Sequence, residues 1–243
     1  KGWTWRGENL TASFRPWRFD ELNVKFNGQN NIRYFDGKSW HEIQGRIEDG
    51  SAWLHLDSGR RIENMMVDLK RIDLAGLWED DSAFITRLRV RARRGAVSLS
   101  EEAPEPGEIA SVAVKFEDIK LPPGFGEEMG ETIKFLNFDL SLFGLVPSGD
   151  TKSAVRMWRD EGGTVELKSF RVRWGPLGIE SAGTIALDSE MRPIGALTAD
   201  IIGYGDVIDA TIGPKTINGC YEKTSHLLQG EMPLVLLRRG VDN

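Results

Sequence analysis

At 243 residues, with 40 % apolar and 28 % charged side chains, the chain is long enough to bury its own core and too apolar to be largely disordered. Its net charge of −6, from 37 acidic against 31 basic residues with no basic block, excludes a nucleic-acid binder that works by neutralising phosphates. The single cysteine, Cys220, excludes an intrachain disulfide and a cysteine-based metal site. The chain starts at Lys1 rather than Met and contains no run of about 18 apolar residues, so any signal or membrane anchor is expected in a segment preceding Lys1.

From the N-terminus onward the hydrophobic pattern has a period of two. Leu22, Val24 and Phe26 alternate with polar residues and lead into an Asn-rich turn expected at Gly28 to Asn31. Ile32 and Tyr34 run into Asp36-Gly37, a strong hairpin signal, followed by Trp40. Trp53 to Leu56, a turn at Asp57-Ser58-Gly59, and then Met65, Val67 and Leu69 continue what reads as a meander of short antiparallel strands.

The middle of the chain carries two sharper patterns. In "FITRLRVRARRG", Phe84, Thr86, Leu88, Val90 and Ala92 are assigned to one face and Arg87, Arg89, Arg91 and Arg93 to the other, giving a half-buried strand with an arginine stripe outside. Glu101, Glu102, Glu105 and Glu108 follow and are available to neutralise that stripe. Val112, Val114 and Phe116 alternate up to the break at Pro122-Pro123-Gly124. In "IKFLNFDLSLFG", Leu136, Phe138, Leu140 and Leu142 share a face, with Asn137, Asp139 and Ser141 opposite, so this strand is expected to border a substantial apolar surface.

Two helices are predicted. The first starts near Ser148 or Asp150, buries Ala154, Val155, Met157 and Trp158, and stops at Gly162-Gly163. The second spans roughly 216 to 229. Between them, Val165 and Leu167 have the opposite parity to Phe170, Val172 and Trp174. Such a slip turns every later side chain over unless a bulge restores the facing, so a bulge is expected near Ser169. Gly175-Pro176 then breaks the strand, which makes Trp174-Gly175-Pro176 a sheet corner with a packing tryptophan rather than a ligand site. Ile179, Gly183, Ile185 and Leu187 return, followed by Leu197, Ala199 and Ile201.

This region also resembles a known family. The elements "WRDEGG" at Trp158 to Gly163, "WGPL" at Trp174 to Leu177, "GTIALD" at Gly183 to Asp188 and "RPIG" at Arg192 to Gly195 are similar in order and spacing to the signature of the alphaproteobacterial domain of unknown function 2125. The signature covers about a quarter of the chain. Trp158, Gly162, Gly163, Trp174, Gly175 and Pro176 belong to it and are read as structural. The resemblance implies a cell-envelope protein held at the inner membrane by an N-terminal anchor and facing the periplasm, with the anchor and the family's C-terminal tail absent from this sequence. It implies no known activity.

Motifs for chemistry are absent. His41, His55 and His226 have no ligand spacing, Glu79-Asp80-Asp81 lacks the pattern of an EF-hand loop, and no nucleophile elbow or phosphate-binding loop occurs. Cys220 has no evident histidine partner. Gly203-Tyr204-Gly205 lacks the third glycine of a dinucleotide fingerprint. No catalytic residue, metal or cofactor is therefore expected, and an enzyme is the least favoured reading.

The expected fold is mainly β: residues 1–243 as one elongated domain, a curved antiparallel sheet with two short helices. One reading is a binding module with a lipid or other apolar ligand in a groove lined by Leu136, Phe138, Leu140 and Leu142. That architecture is similar to the lipid-bridging AsmA-like envelope proteins, an analogy of fold alone. The other reading is an interaction module with a closed core that docks an anionic partner, lipid or envelope protein, through Arg87, Arg89 and Arg91.

Overall fold

The computed structural model describes residues 3–35, 38–78, 81–94, 107–125, 129–145 and 151–205. Ten strands follow one another: β1 (Trp3–Arg15), β2 (Arg18–Phe35), β3 (Trp40–Leu56), β4 (Ile62–Trp78), β5 (Asp81–Arg94), β6 (Glu108–Lys120), β7 (Thr132–Phe143), β8 (Thr164–Trp174), β9 (Leu177–Leu187) and β10 (Pro193–Ile202), with helix α1 (Thr151–Asp160) between β7 and β8. They form a single unclosed, curved antiparallel sheet in which strand order equals chain order. The predicted mainly-β fold is thus observed, although the strands are 10 to 18 residues long rather than short. Of the two predicted helices, α1 is present and the stretch from 216 to 229 lies outside the described residues.

Because neighbours in the chain are neighbours in the sheet, apolar residues align into rows that cross many strands. One row links Leu22 to Leu54, Met65, Ala92 and Val112, and continues through Leu140, Leu167, Gly183 and Leu197. The adjacent row carries Val67, Val90, Val114, Phe138 and Phe170, and the next carries Leu69, Leu88, Phe116, Leu136 and Val172. A fourth is almost pure isoleucine: Ile47, Ile72, Ile85, Ile119 and Ile133. Cross-strand pairs of this kind are the unit of sheet stabilisation.

Between the third and fourth rows the spacing along each strand is three, not two. Ile47 to Gly50, Leu69 to Ile72, Ile85 to Leu88, Phe116 to Ile119 and Ile133 to Leu136 all span three residues, and the two residues between them turn away from the apolar face. Arg71 and Asp118, within this band, have φ of 50° and 45°. Irregularities that add a residue to one face bend a strand and increase its twist, and here they line up across the sheet and curve it.

Three expectations are corrected by this band and its surroundings. Gly28 to Asn31 is not a turn: β2 runs through it, and Gly28, with φ of 85°, is a register shift opposite Ile47. Phe84 and Thr86 do not share the face of Leu88, Val90 and Ala92. The three-residue step puts Ala83 and Ile85 there instead, both 5 % exposed, and leaves Thr86 exposed. In α1, Met157 is 49 % exposed rather than buried, because the helix is held mainly by Trp158, which is 7 % exposed.

The bulge predicted near Ser169 falls at Lys168 and Ser169: Leu167 pairs with Gly183 and Phe170 with Ser181, so β8 spends one residue more than β9. The Trp174-Gly175-Pro176 corner joins β8 to β9. Its indole donates to the Gly130 carbonyl at 2.6 Å, and Gly175 has φ of 52° with the Met129 carbonyl oxygen where a side chain would stand. Trp158 likewise donates to the Phe143 carbonyl at 2.8 Å and lies against Gly163, whose missing Cβ makes room for the ring.

Candidate functional site

Apolar side chains of this face are buried at Ile47, Ile72, Ala83, Ile85 and Val114. Ile47, Ile72 and Ile85, at 8, 3 and 5 % exposure, form the core, with Phe26, Leu69, Leu74, Leu88, Phe116 and Ile119 packed around them. Tertiary contact among the described elements is overwhelmingly between strands adjacent in the chain, so no second layer of described strands covers this face. A single sheet can bury side chains this deeply only by bending toward them, so that neighbouring rows converge. Away from that core, Leu136, Phe138, Leu140 and Leu142 sit on β7 on one face, as predicted, and all four are only half-buried. They continue through Leu167, Phe170 and Val172 of β8 into a surface several strands wide.

The opposite face is charged, and its charges are largely matched. Arg87 makes a two-pronged contact to Asp68, at 2.8 and 2.6 Å, and holds that carboxyl below the usual carboxylate range. Arg89 bonds Glu117, Arg71 bonds Glu48, Lys70 lies 2.8 Å from Asp49, and Lys134 lies 3.0 Å from Asp118. Three of these pairs, Arg71 with Glu48, Lys70 with Asp49 and Lys134 with Asp118, bridge residues at the bend itself, so the ion pairs fasten the outer side of the curve. Arg91 has no ion-pair partner among the described residues and borders a cavity of about 360 Å³ together with Trp53, Met66 and Asp68. The arginine stripe predicted as a docking face is therefore mostly occupied with its own sheet.

Further along the charged face lies a buried polar cluster that the pattern in sequence does not reveal. Arg93 bonds Glu108, both nearly inaccessible, and Lys168 reaches the second carboxylate oxygen of Glu108 at 3.3 Å. Burial alone would push the Glu108 carboxyl up, but the Arg93 hydrogen bond and charge, with Lys168, hold it below the usual range. Asp139, half-buried beside them, is raised, first by burial and then by the Glu108 charge. Asn64 Oδ1, Arg93 Nε and Ser141 Oγ are buried without a hydrogen-bond partner. Of the acidic loop expected to neutralise the arginines, Glu108 does so; Glu101, Glu102 and Glu105 lie outside the described residues.

No group of three or more His, Cys, Asp or Glu side chains poised for a metal occurs among the described residues. His55 stands 3.5 Å from both Asp20 and Glu63, and His41 stacks on Tyr34. Cys220, His226 and Glu79-Asp80 lie outside the described residues. No described helix is long and apolar enough to cross a membrane.

Comparison with curated proteins and with solved structures returns no match. The comparison with family models does: the model described as "Uncharacterized protein conserved in bacteria (DUF2125)" matches residues 1–227, and the chain belongs to that family.

Proposed function

We propose that this protein is a binding protein of the bacterial cell envelope, holding a lipid or another apolar molecule against the inner face of its curved sheet. One observation carries the reading: an apolar surface several strands wide, whose side chains are buried at Ile47, Ile72, Ala83, Ile85 and Val114 while the apolar β7 and β8 residues remain half-open. Exposed apolar area of that extent is unfavourable in water unless something covers it, and a flexible acyl chain fits a long, shallow, apolar trough. We propose further that it works in the periplasm, held at the inner membrane; the resemblance described above supports this. The alternative, a module that docks an envelope protein through its arginine face, is weakened by the internal pairing of Arg87 and Arg89.

The test is a titration with a fluorescent fatty-acyl probe. The wild-type protein is expected to bind it saturably, and Leu140→Arg, which puts a charge into the trough, to lose binding while keeping its β-sheet circular-dichroism spectrum. Unchanged probe binding in a folded Leu140→Arg variant would move the reading to the docking module.

A further inference from the structure

The corner of the sheet where β1 turns into β2 combines three features that no groove requires. The tip, Phe14-Arg15-Pro16-Trp17-Arg18-Phe19, leaves its large apolar side chains in solvent: Trp17 is 77 %, Phe19 75 % and Phe14 61 % exposed. These are among the most exposed large apolar residues described, and Phe14 and Phe19 lean on one another at 6.1 Å between ring centres. Arginines alternate with the rings. Arg18 bonds Glu21, and Arg61, on the neighbouring β3–β4 turn, bonds Asp57 at 3.1 Å; Arg15 and Arg60 have no carboxylate partner among the described residues. The third acid of this corner, Asp20, faces His55.

The corner is also where the apolar face ends. Phe14 pairs with Leu22, the first residue of the row that runs to Leu140 and Leu197, so Phe14, and Phe19 that leans on it, continue the apolar surface of the trough. A cavity of about 490 Å³ opens at the junction, lined by Phe14, Phe19, Leu22 and Leu56 together with Arg60 and the acids Asp20, Glu21 and Asp57.

We propose that this hairpin tip is a membrane-docking element, with Trp17 and Phe19 seated at the headgroup level of an anionic bilayer and Arg15 and Arg60 on its phosphates. Tryptophan is enriched at that depth because it is apolar in body and polar at one edge. Unpaired guanidinium groups beside it add attraction to anionic headgroups, which a protein-docking patch of aromatics alone would not need. The proposal stands apart from the trough reading: the tip can dock whether or not the sheet holds a ligand, and the continuity of the two surfaces gives docking a use, since a lipid leaving the bilayer would meet the trough at Phe14.

The experiment is co-sedimentation of the full chain with two kinds of vesicle, phosphatidylcholine alone and phosphatidylcholine with about one-third phosphatidylglycerol, read as a partition coefficient. The wild-type protein is expected to prefer the anionic vesicles. Trp17→Ser with Phe19→Ser should lower partitioning on them about tenfold, because insertion follows the apolar area buried. Arg15→Gln with Arg60→Gln should erase the preference for anionic over neutral vesicles. Both pairs are exposed, so the fold should survive; unchanged thermal unfolding and unchanged acyl-probe binding check this and separate tip from trough. Equal sedimentation of wild type and Trp17→Ser with Phe19→Ser, or no sedimentation of the wild type with either vesicle, would overturn the proposal.

Discussion

Truncating Ile72 and Leu140 to alanine should cost very different amounts, although each change removes three carbons from the same face. Ile72 is 3 % exposed, flanked in its row by Ile47 and Ile85 and packed by Leu69, Leu74 and Leu88. At about 0.8 kcal/mol per buried carbon the transfer loss is about 2.4 kcal/mol, and the partly unfilled space raises the total to about 3 kcal/mol. Leu140 is half-buried on the open part of the face, where the lost carbons were partly in water and no closed cavity forms, so Leu140→Ala should cost about 1 kcal/mol. Urea unfolding followed by circular dichroism measures both, provided the m-values agree. Equal costs, or a larger cost at Leu140, would refute the reasoning, because they would mean that the whole face is sealed like an ordinary core.

Other consequences concern the charged face and α1. Glu108→Gln leaves Arg93 buried without its counter-charge and should destabilise by about 3 kcal/mol or more in denaturant unfolding. Because the folded-state pKa of Glu108 is lowered, its contribution is complete above the ordinary glutamate value and disappears as pH falls through the folded value; an acid titration of wild type against Glu108→Gln should show the difference between them closing below about pH 4. Asp139 behaves in the opposite sense: its raised pKa means that stability is lost as pH climbs from the ordinary aspartate value through the folded one, so Asp139→Asn should stabilise the protein at neutral pH and flatten that part of the curve. Gly163→Ala would drive a methyl group into the Trp158 indole and should cost about 1–3 kcal/mol, with a change in the near-ultraviolet spectrum of that tryptophan. A destabilisation below a few tenths of a kcal/mol would show that α1 yields easily.

Much of the sheet can be read from alternation alone. The β7 run Leu136 to Leu142 is strictly periodic and lands as expected, and the parity change between Leu167 and Phe170 is enough to locate the bulge within a residue of Ser169. What escapes is the bend. A search for strict alternation places Phe84 and Thr86 with Leu88, whereas the recurring three-residue apolar interval, Leu69 to Ile72, Ile85 to Leu88 and Phe116 to Ile119, is the signal that marks it. That interval looks like noise in any one strand and becomes a feature only when neighbouring strands are set in register. Gly28 was misleading for a related reason: glycine beside asparagines suits a turn, but the same positive φ serves a bulge in the middle of an 18-residue strand. Strand β1 gave little sign of itself, because the irregularity between Gly7 and Asn9 splits its apolar residues into two short sets.

The candidate site divides along the same line. The apolar residues of the trough lie on one strand and are visible as a pattern, but whether the arginines of β5 are available to a partner depends on Asp68 of β4 and Glu117 of β6, whose proximity comes from strand register. The cluster of buried Arg93 and Glu108 with the more exposed Lys168 joins Glu108 to a lysine 60 positions away and has no local signature. The exposure of the aromatic tip depends on β1 being an edge strand of an unclosed sheet, which no local pattern shows.

The most direct test of the trough is native mass spectrometry, with organic extraction, of the protein purified gently from a bacterial envelope. The account predicts a co-purifying lipid of defined mass, lost in Leu140→Arg and retained in the tip variant Trp17→Ser with Phe19→Ser. A bare polypeptide mass in the wild type, with nothing in the extract, would contradict it.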